Sequence, residues 1–153
     1  MIDAFEFFGH PIPGRGPNPS RRISISAMEG PHPPFANIRI LIVDDKAAFR
    51  LLTARFLARQ GAQVFAAKNA FEGLRLVQEI GPDVVVSDIN MPGRSGLEFL
   101  VDIRNLGPDR RNVPVIAMTA YLLDQSVVDA GFQKILRKPF APDQLLAAID
   151  SVL

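Results

Sequence analysis

The sequence predicts an α/β domain built as a doubly wound sheet of parallel strands with helices on both faces. Three observations lead there. Five short β-type runs alternate with five helix-type segments across residues 38–153. The first, third and fourth runs are continuously apolar, as strands buried on both faces should be. The spacing suits right-handed βαβ crossovers and one parallel sheet.

Each element has its own local reason. Ile38 to Val43 is β-branched and apolar, a buried strand. Lys46 to Gln60 carries Phe49, Leu52, Phe56 and Leu57 at helical spacing and stops at Gly61. Gln63 to Ala67 is a weaker strand. Asn69 is an N-cap candidate for a helix through Leu74, Val77 and Ile80, ended by Gly81-Pro82. Val84 to Val86 is a strand. Ser95 or Gly96 opens a helix through Leu97, Phe99, Leu100 and Ile103, ending near Gly107-Pro108. Val113 to Met118 is the fourth strand, and a short helix is expected between Leu123 and Ala130. Gln133 to Leu136 is the fifth strand. Pro142, at a first helical position, opens the last helix through Leu145, Leu146, Ile149 and Val152.

Residues 1–36 read differently. Seven of the 13 Pro lie there, no period of 2 or 3.6 is sustained, and the stretch is expected to be a flexible tail, with residues 1–27 dispensable for folding and phosphorylation. Its first residues stand apart, because Ile2, Phe5, Phe7 and Phe8 are available to bury against the domain or a partner. Met28 is an alternative start. The domain proper is expected over residues 37–153.

Composition excludes several classes. A formal net charge of +1 gives no support to a nucleic-acid binder that relies on bulk positive charge. The absence of Cys removes disulfides, thiolate metal sites and Cys nucleophiles. No apolar run is long enough to span a membrane, and no secretory signal opens the chain, so the cytoplasm is the expected compartment. Both His residues, His10 and His32, fall in the tail, which leaves the domain without an imidazole.

In sheets of this kind ligands bind beyond the carboxyl ends of the strands. The first strand ends in Asp44-Asp45, the third in Ser87-Asp88 followed by Ile89-Asn90-Met91-Pro92-Gly93, the fourth in Thr119-Ala120 and the fifth in Lys138-Pro139. Three carboxylates, a hydroxyl and an ammonium therefore converge on one edge. Acids this close repel one another, and a divalent cation removes the conflict. Oxygen-only ligands suit Mg²⁺ rather than zinc or copper. Mg²⁺ beside a carboxylate, a Lys and a Thr hydroxyl is equipment for handling a phosphoryl group, with a carboxylate as nucleophile.

These residues resemble a known family. The segments Leu41-Ile42-Val43-Asp44-Asp45, Val84 to Gly96 (VVVSDINMPGRSG), Val115 to Ala120 (VIAMTA) and Lys138-Pro139-Phe140 are similar to the motifs of the receiver domains of two-component response regulators, and the likeness covers Ile38 to Leu153. It implies a flavodoxin-like (βα)5 fold with strand order 2-1-3-4-5. It implies Asp88 as phosphoacceptor, Asp45 as a direct Mg²⁺ ligand, Asp44 assisting through water, and Asn90 offering its backbone carbonyl. Lys138 is then the partner of a phosphoryl oxygen, Thr119 the hydroxyl that moves toward the phosphate, and the Lys138-Pro139 bond cis. The phosphoryl group would come from a phosphohistidine on a sensor histidine kinase or a histidine phosphotransfer protein, and the domain would promote its own modification rather than turn over a substrate.

Two departures from the family pattern bear on output. Thr119 and Lys138 are 19 positions apart, which implies a fourth helix shorter by about one turn. Ile135 stands three before Lys138, where the family places a Tyr or Phe that swings inward, while Phe132 is at the wrong spacing. Tyr121 is placed to cover a phosphate. With nothing after the last helix, signalling is expected through protein–protein contact, with an unknown downstream target, a second copy of the chain as a further partner, and neither nucleic acid nor membrane. Leu122, Leu123, Val127 and Val128 either pack inward or form that patch. The alternatives are a phosphorylation-independent pseudo-receiver and a haloacid-dehalogenase-type phosphohydrolase. The second wants Asp-x-Asp rather than an adjacent pair. A flavodoxin is disfavoured because no Ser/Thr/Gly-rich phosphate loop follows the first strand.

Overall fold

A computed structural model describes residues 33–121 and 124–153. The expectations attached to Ile2, Phe5, Phe7, Phe8, His10, Met28, His32, Leu122 and Leu123 lie outside those residues.

The alternation is present as β1 (Arg39–Val43), α1 (Ala47–Arg59), β2 (Gln63–Ala67), α2 (Ala70–Ile80), β3 (Val84–Asp88), α3 (Gly96–Arg104), β4 (Val115–Thr119), α4 (Gln125–Asp129), β5 (Lys134–Arg137) and α5 (Pro142–Val152). The five strands are all parallel in the order β2-β1-β3-β4-β5. Leu41 pairs with Phe65 on one side and Val85 on the other, and Asp88 lies opposite Met118.

Successive strand residues face opposite ways, and this parity divides the core into two layers. Ile40, Ile42, Val64, Val84, Val86, Ile116 and Met118 pack against Leu57 of α1 and Leu145 and Ile149 of α5. Leu41, Val43, Phe65, Val85 and Val115 pack against Leu76 and Val77 of α2 and Phe99, Leu100 and Ile103 of α3. Fully burying side chains of this size contributes about 1.5–3 kcal/mol each. A smaller third cluster joins Ile89, Ala117 and Val127, with Leu97, Phe132 and Ile135 against it.

Local chemistry sets the helix ends. Asn69 Oδ1 accepts from the Glu72 amide at 2.8 Å. Ser95 and Glu98 form a reciprocal capping box, with Ser95 N donating to Glu98 at 2.8 Å and Glu98 N donating to Ser95 Oγ at 3.2 Å. Each such cap is worth about 1 kcal/mol. Gly81 closes α2 at φ 59°, a left-handed position that suits glycine. The fourth helix has only five residues, capped by Asp124 accepting from the Val127 amide. No helix among the described residues is long and apolar enough to cross a membrane.

The composition-based boundary at residue 37 falls inside the packed unit. Phe35 is 2% exposed and joins the α1/α5 layer beside Ile38. Its amide donates to Gln60 O at 2.9 Å and its carbonyl accepts from Ile38 N at 3.0 Å. Proline density hides this, because Pro33 turns the chain so that one aromatic ring enters the core.

Candidate functional site

The carboxyl ends of β1 and β3 are neighbours in the sheet, so the topology brings Asp44 and Asp88 together. Asp44 is fully buried and Asp88 is 3% exposed. Carboxylate oxygens of Asp44, Asp45 and Asp88 lie within 4.8 Å of one another. Lys138, carried in just after β5, places Nζ 2.9 Å from Asp44 Oδ2 and 3.7 Å from Asp88 Oδ2. The same ammonium sits 4.1 Å from the centre of the Phe49 ring, which meets Phe140 edge-on at 6.0 Å. A Lys over an aromatic face gains from the ring quadrupole, so Phe49 fixes the height of the cation. The helical period shows Phe49 only as an apolar position; its second role depends on Lys138, 89 residues later in the chain.

The remaining lone pairs are mostly satisfied. Asp44 Oδ1 accepts from Lys46 N at 2.8 Å, and Arg50 Nη1 donates to the Asp44 carbonyl at 2.7 Å. Asp88 Oδ1 accepts weakly from Asn90 N at 3.3 Å. Asp45 Oδ1 is buried without a hydrogen-bond partner among the described residues. A buried carboxylate oxygen left in that state is costly, and it marks where a cation would be received.

Burial pushes the Asp88 carboxyl above its ordinary range. Lys138 opposes that shift, the Asp44 charge adds to it, and the Asn90 amide and Lys46 oppose it. Desolvation and a like-charged neighbour both favour the protonated acid, so the site holds more negative charge than its own lysine relieves. Three oxygen donors, one of them orphaned, and a surplus of negative charge fit a hard divalent cation such as Mg²⁺.

The residues expected on the phosphoryl side gather at the same edge. Thr119 is 3% exposed, and its Oγ1 accepts from Tyr121 N at 3.2 Å. Its carbonyl accepts from Lys138 N at 2.7 Å, which ties β4 to the Lys138 turn. The Lys138-Pro139 peptide bond is cis. Tyr121 is 65% exposed and lines the mouth of a pocket with Lys46, Phe49, Asp88, Asn90 and Lys138. Ile135 pairs in register with Ala117, one step back from Thr119 along the same strand face, and packs in the third cluster.

The loop from β3 to α3 carries Asn90, and two features of it escape a local reading. A Cβ on Gly96 would fall 2.3 Å from the Asp88 carbonyl oxygen and 2.8 Å from Ile89 Cα, so only glycine lets α3 start this close to the acid. Gly96 N then donates to Ile89 O at 2.7 Å. Arg94 grips Asp102 with two hydrogen bonds of 2.7 Å, bracing the loop from the outside. The spacing of Gly96 marks a helix start, but its proximity to Asp88 appears only in three dimensions.

The response regulator receiver domain family matches residues 40–150. The chain belongs to that family. The receiver is 34% identical over 116 residues to the chemotaxis protein CheY of Bacillus subtilis, covering 75% of this chain and 97% of that one. It is 38% identical over 119 residues to the response regulator MprA of Mycobacterium sp. strain KMS, covering 76% of this chain but 50% of MprA, so it spans about half the length of that relative. Among solved structures it resembles the chemotaxis protein CheY4 of Vibrio cholerae with a TM-score of 0.72 and 30% identity, covering 77% of this chain and all of that one. The flavodoxin-like strand order is the one these relatives lead one to expect, and the family match sets aside the phosphohydrolase and flavodoxin readings.

Proposed function

We propose that this receiver accepts a phosphoryl group on Asp88 from a phosphohistidine of a sensor histidine kinase or histidine phosphotransfer protein, and signals through contact with a downstream protein in the cytoplasm. The observation that carries the proposal is the convergence of Asp44, Asp45, Asp88 and Lys138 around one orphaned carboxylate oxygen at the end of β1.

In this reading an Asp88 oxygen attacks the phosphorus, the P–N bond of the donor breaks, and the leaving imidazole keeps the bond's electron pair. An acyl phosphate forms on the domain, and water later hydrolyses it. Asp45, Asp88 and the Asn90 carbonyl would hold Mg²⁺, with Asp44 assisting. When bound, the cation supplies charge neutralisation for the phosphoryl oxygens. Lys138, positioned by Phe49, offers its ammonium to one of those oxygens. Thr119 offers its hydroxyl to another. Tyr121, at the pocket mouth, is placed to limit water. Asp88 cannot attack while protonated, so Lys138 and a bound cation, whose positive charges favour the carboxylate, would also keep it ionised. The domain promotes its own modification and demodification and does not process a small substrate.

Incubating the protein with acetyl phosphate and Mg²⁺ and measuring intact mass tests this. One added phosphate is expected on the wild type, and none on Asp88→Asn or in EDTA. Equal labelling of Asp88→Asn would move the acceptor elsewhere, and no labelling of the wild type would leave a phosphorylation-independent interaction module.

A further inference from the structure

We propose that residues 2–8 dock in cis on the outward face of α1. That face is one stripe. Ala48, Leu52, Arg55 and Arg59 are spaced 4, 3 and 4 residues apart, so they fall on a single side of the helix, and all four are exposed, Leu52 by 66%. The stripe is apolar at the end near the pocket mouth and cationic at the far end. α1 and its flanking Lys46 and Gln60 include no acidic residue, and neither Arg55 nor Arg59 has an acidic partner among the described residues.

The occupant is argued from charge and from where the chain leaves. Residues 2–8, Ile-Asp-Ala-Phe-Glu-Phe-Phe, offer three aromatic rings, two carboxylates and no cation, the complement of the stripe. The N-terminal segment meets the domain at the end of α1, where the Phe35 amide bonds Gln60 O and Pro33 lies against Gly61. Were the 24 residues 9–32 between them to behave as a random coil, their root-mean-square reach would be about 27 Å, and more if their prolines extend them. α1 is about 20 Å long. The segment is thus presented to the stripe at an effective concentration in the millimolar range, which suits a weak contact. Two other exposed apolar residues, Phe71 and Val101, lack the charge match. Phe71 is followed by Glu72, and the nearby Arg75 is already paired with Glu79. Val101 is followed by Asp102, which holds Arg94.

A docked segment would lie beside Lys46 and Phe49 at the pocket mouth.

The chain has no Cys, so Ala4→Cys gives a unique attachment point for a nitroxide on the full-length protein. The amides of Ala48, Leu52, Arg55 and Arg59 should lose most of their NMR intensity, and those of α3 and α4 should keep theirs. Even broadening over all faces, broadening centred elsewhere, or none would overturn the proposal. Phe5→Ser/Phe7→Ser/Phe8→Ser should restore the α1 signals. Arg55→Glu/Arg59→Glu should restore them too, and Asp3→Lys/Glu6→Lys added to it should bring the broadening back; failure of either would reject the charge match. A mixture of spin-labelled ¹⁴N chain with unlabelled ¹⁵N chain should show no broadening. If it does, a second copy is the occupant and the cis contact is wrong. None of these readouts needs phosphorylation, so failure here and failure of Asp88 labelling are separate results.

Discussion

Lys138 lies 2.9 Å from Asp44 but 3.7 Å from Asp88, so before any ligand arrives the site's ammonium is closer to a neighbouring acid than to the proposed phosphoacceptor. The arrangement follows from burial. Asp44 is wholly enclosed and needs a counter-charge, whereas Asp88 sits at the pocket wall. A cation taking over the acids would release Lys138 toward the phosphoryl side.

That relationship predicts the behaviour of Lys138→Met. Removing one partner of a buried pair leaves an uncompensated charge, which costs about 3–5 kcal/mol. The variant should melt well below the wild type without metal. Added Mg²⁺ should then raise its melting temperature by more than it raises that of the wild type, because no ammonium competes for Asp44. Equal Mg²⁺ responses in calorimetry would show that Lys138 and the cation do not share this site.

Asp88→Asn should stabilise the metal-free protein at neutral pH, within the range of about 0.5–2 kcal/mol common for single stabilising substitutions. The sign comes from the raised Asp88 pKa, caused first by burial. The folded state prefers the protonated acid, so ionising Asp88 costs stability at every pH above the folded pKa. As pH falls through that pKa the penalty disappears, and it is gone below the ordinary value of 3.8. The stability gap between variant and wild type should therefore be largest near neutral pH and close in acid. Urea melts at several pH values measure it, and a gap that widens toward acid would contradict the burial argument.

Gly96→Ala should damage stability and labelling together. The new Cβ would meet backbone, 2.3 Å from Asp88 O and 2.8 Å from Ile89 Cα, so no side-chain rotation relieves it. Overpacking of this kind costs about 1–3 kcal/mol, and relief requires α3 to move away from β3. Acetyl phosphate labelling should slow at temperatures where the variant is still folded. Labelling at the wild-type rate would mean that the β3–α3 approach does not position Asp88.

Much of this was legible in the chain because the decisive signals are local. Strand runs such as Val84 to Val86, the Asn69 and Ser95 caps, and the acids at strand ends each depend on a few adjacent residues, and parallel topology then brings the strand ends together. What stayed hidden depends on distant partners. Phe35 sits in a proline-rich stretch and is core only because Gln60 O is available to its amide. Phe49 supports Lys138 from a helix whose period marks it merely as apolar. Gln133 reads as an ordinary strand residue, yet its side chain accepts from Val115 N at 2.7 Å and completes the start of β4.

The last prediction concerns Ile135, which by the family resemblance stands where an inward-swinging aromatic is expected. It packs in a small cluster with Ile89, Ala117 and Val127 on the strand face that Thr119 shares, two register positions behind that hydroxyl. Its χ1 is stiff and it has no polar tip, so it cannot exchange a solvent hydrogen bond for a buried position. The helix above it has only five residues, leaving little structure to remodel. Phosphate can bias two conformations only by its differential contacts with them, and in the proposed reading those contacts would run chiefly through Thr119 and Lys138. The response to beryllofluoride should therefore be confined to Thr119 to Tyr121 and α4, with small amide shifts in β5 and α5. Ile135→Tyr should enlarge it, because a ring too big for the cluster costs about 1–3 kcal/mol when packed in place and gains from moving when Thr119 does. Amide NMR of both proteins, with and without beryllofluoride, decides the matter. Shifts in wild-type β5 and α5 as large as those at Thr119 would show that the switch runs through the sheet edge without an aromatic ring.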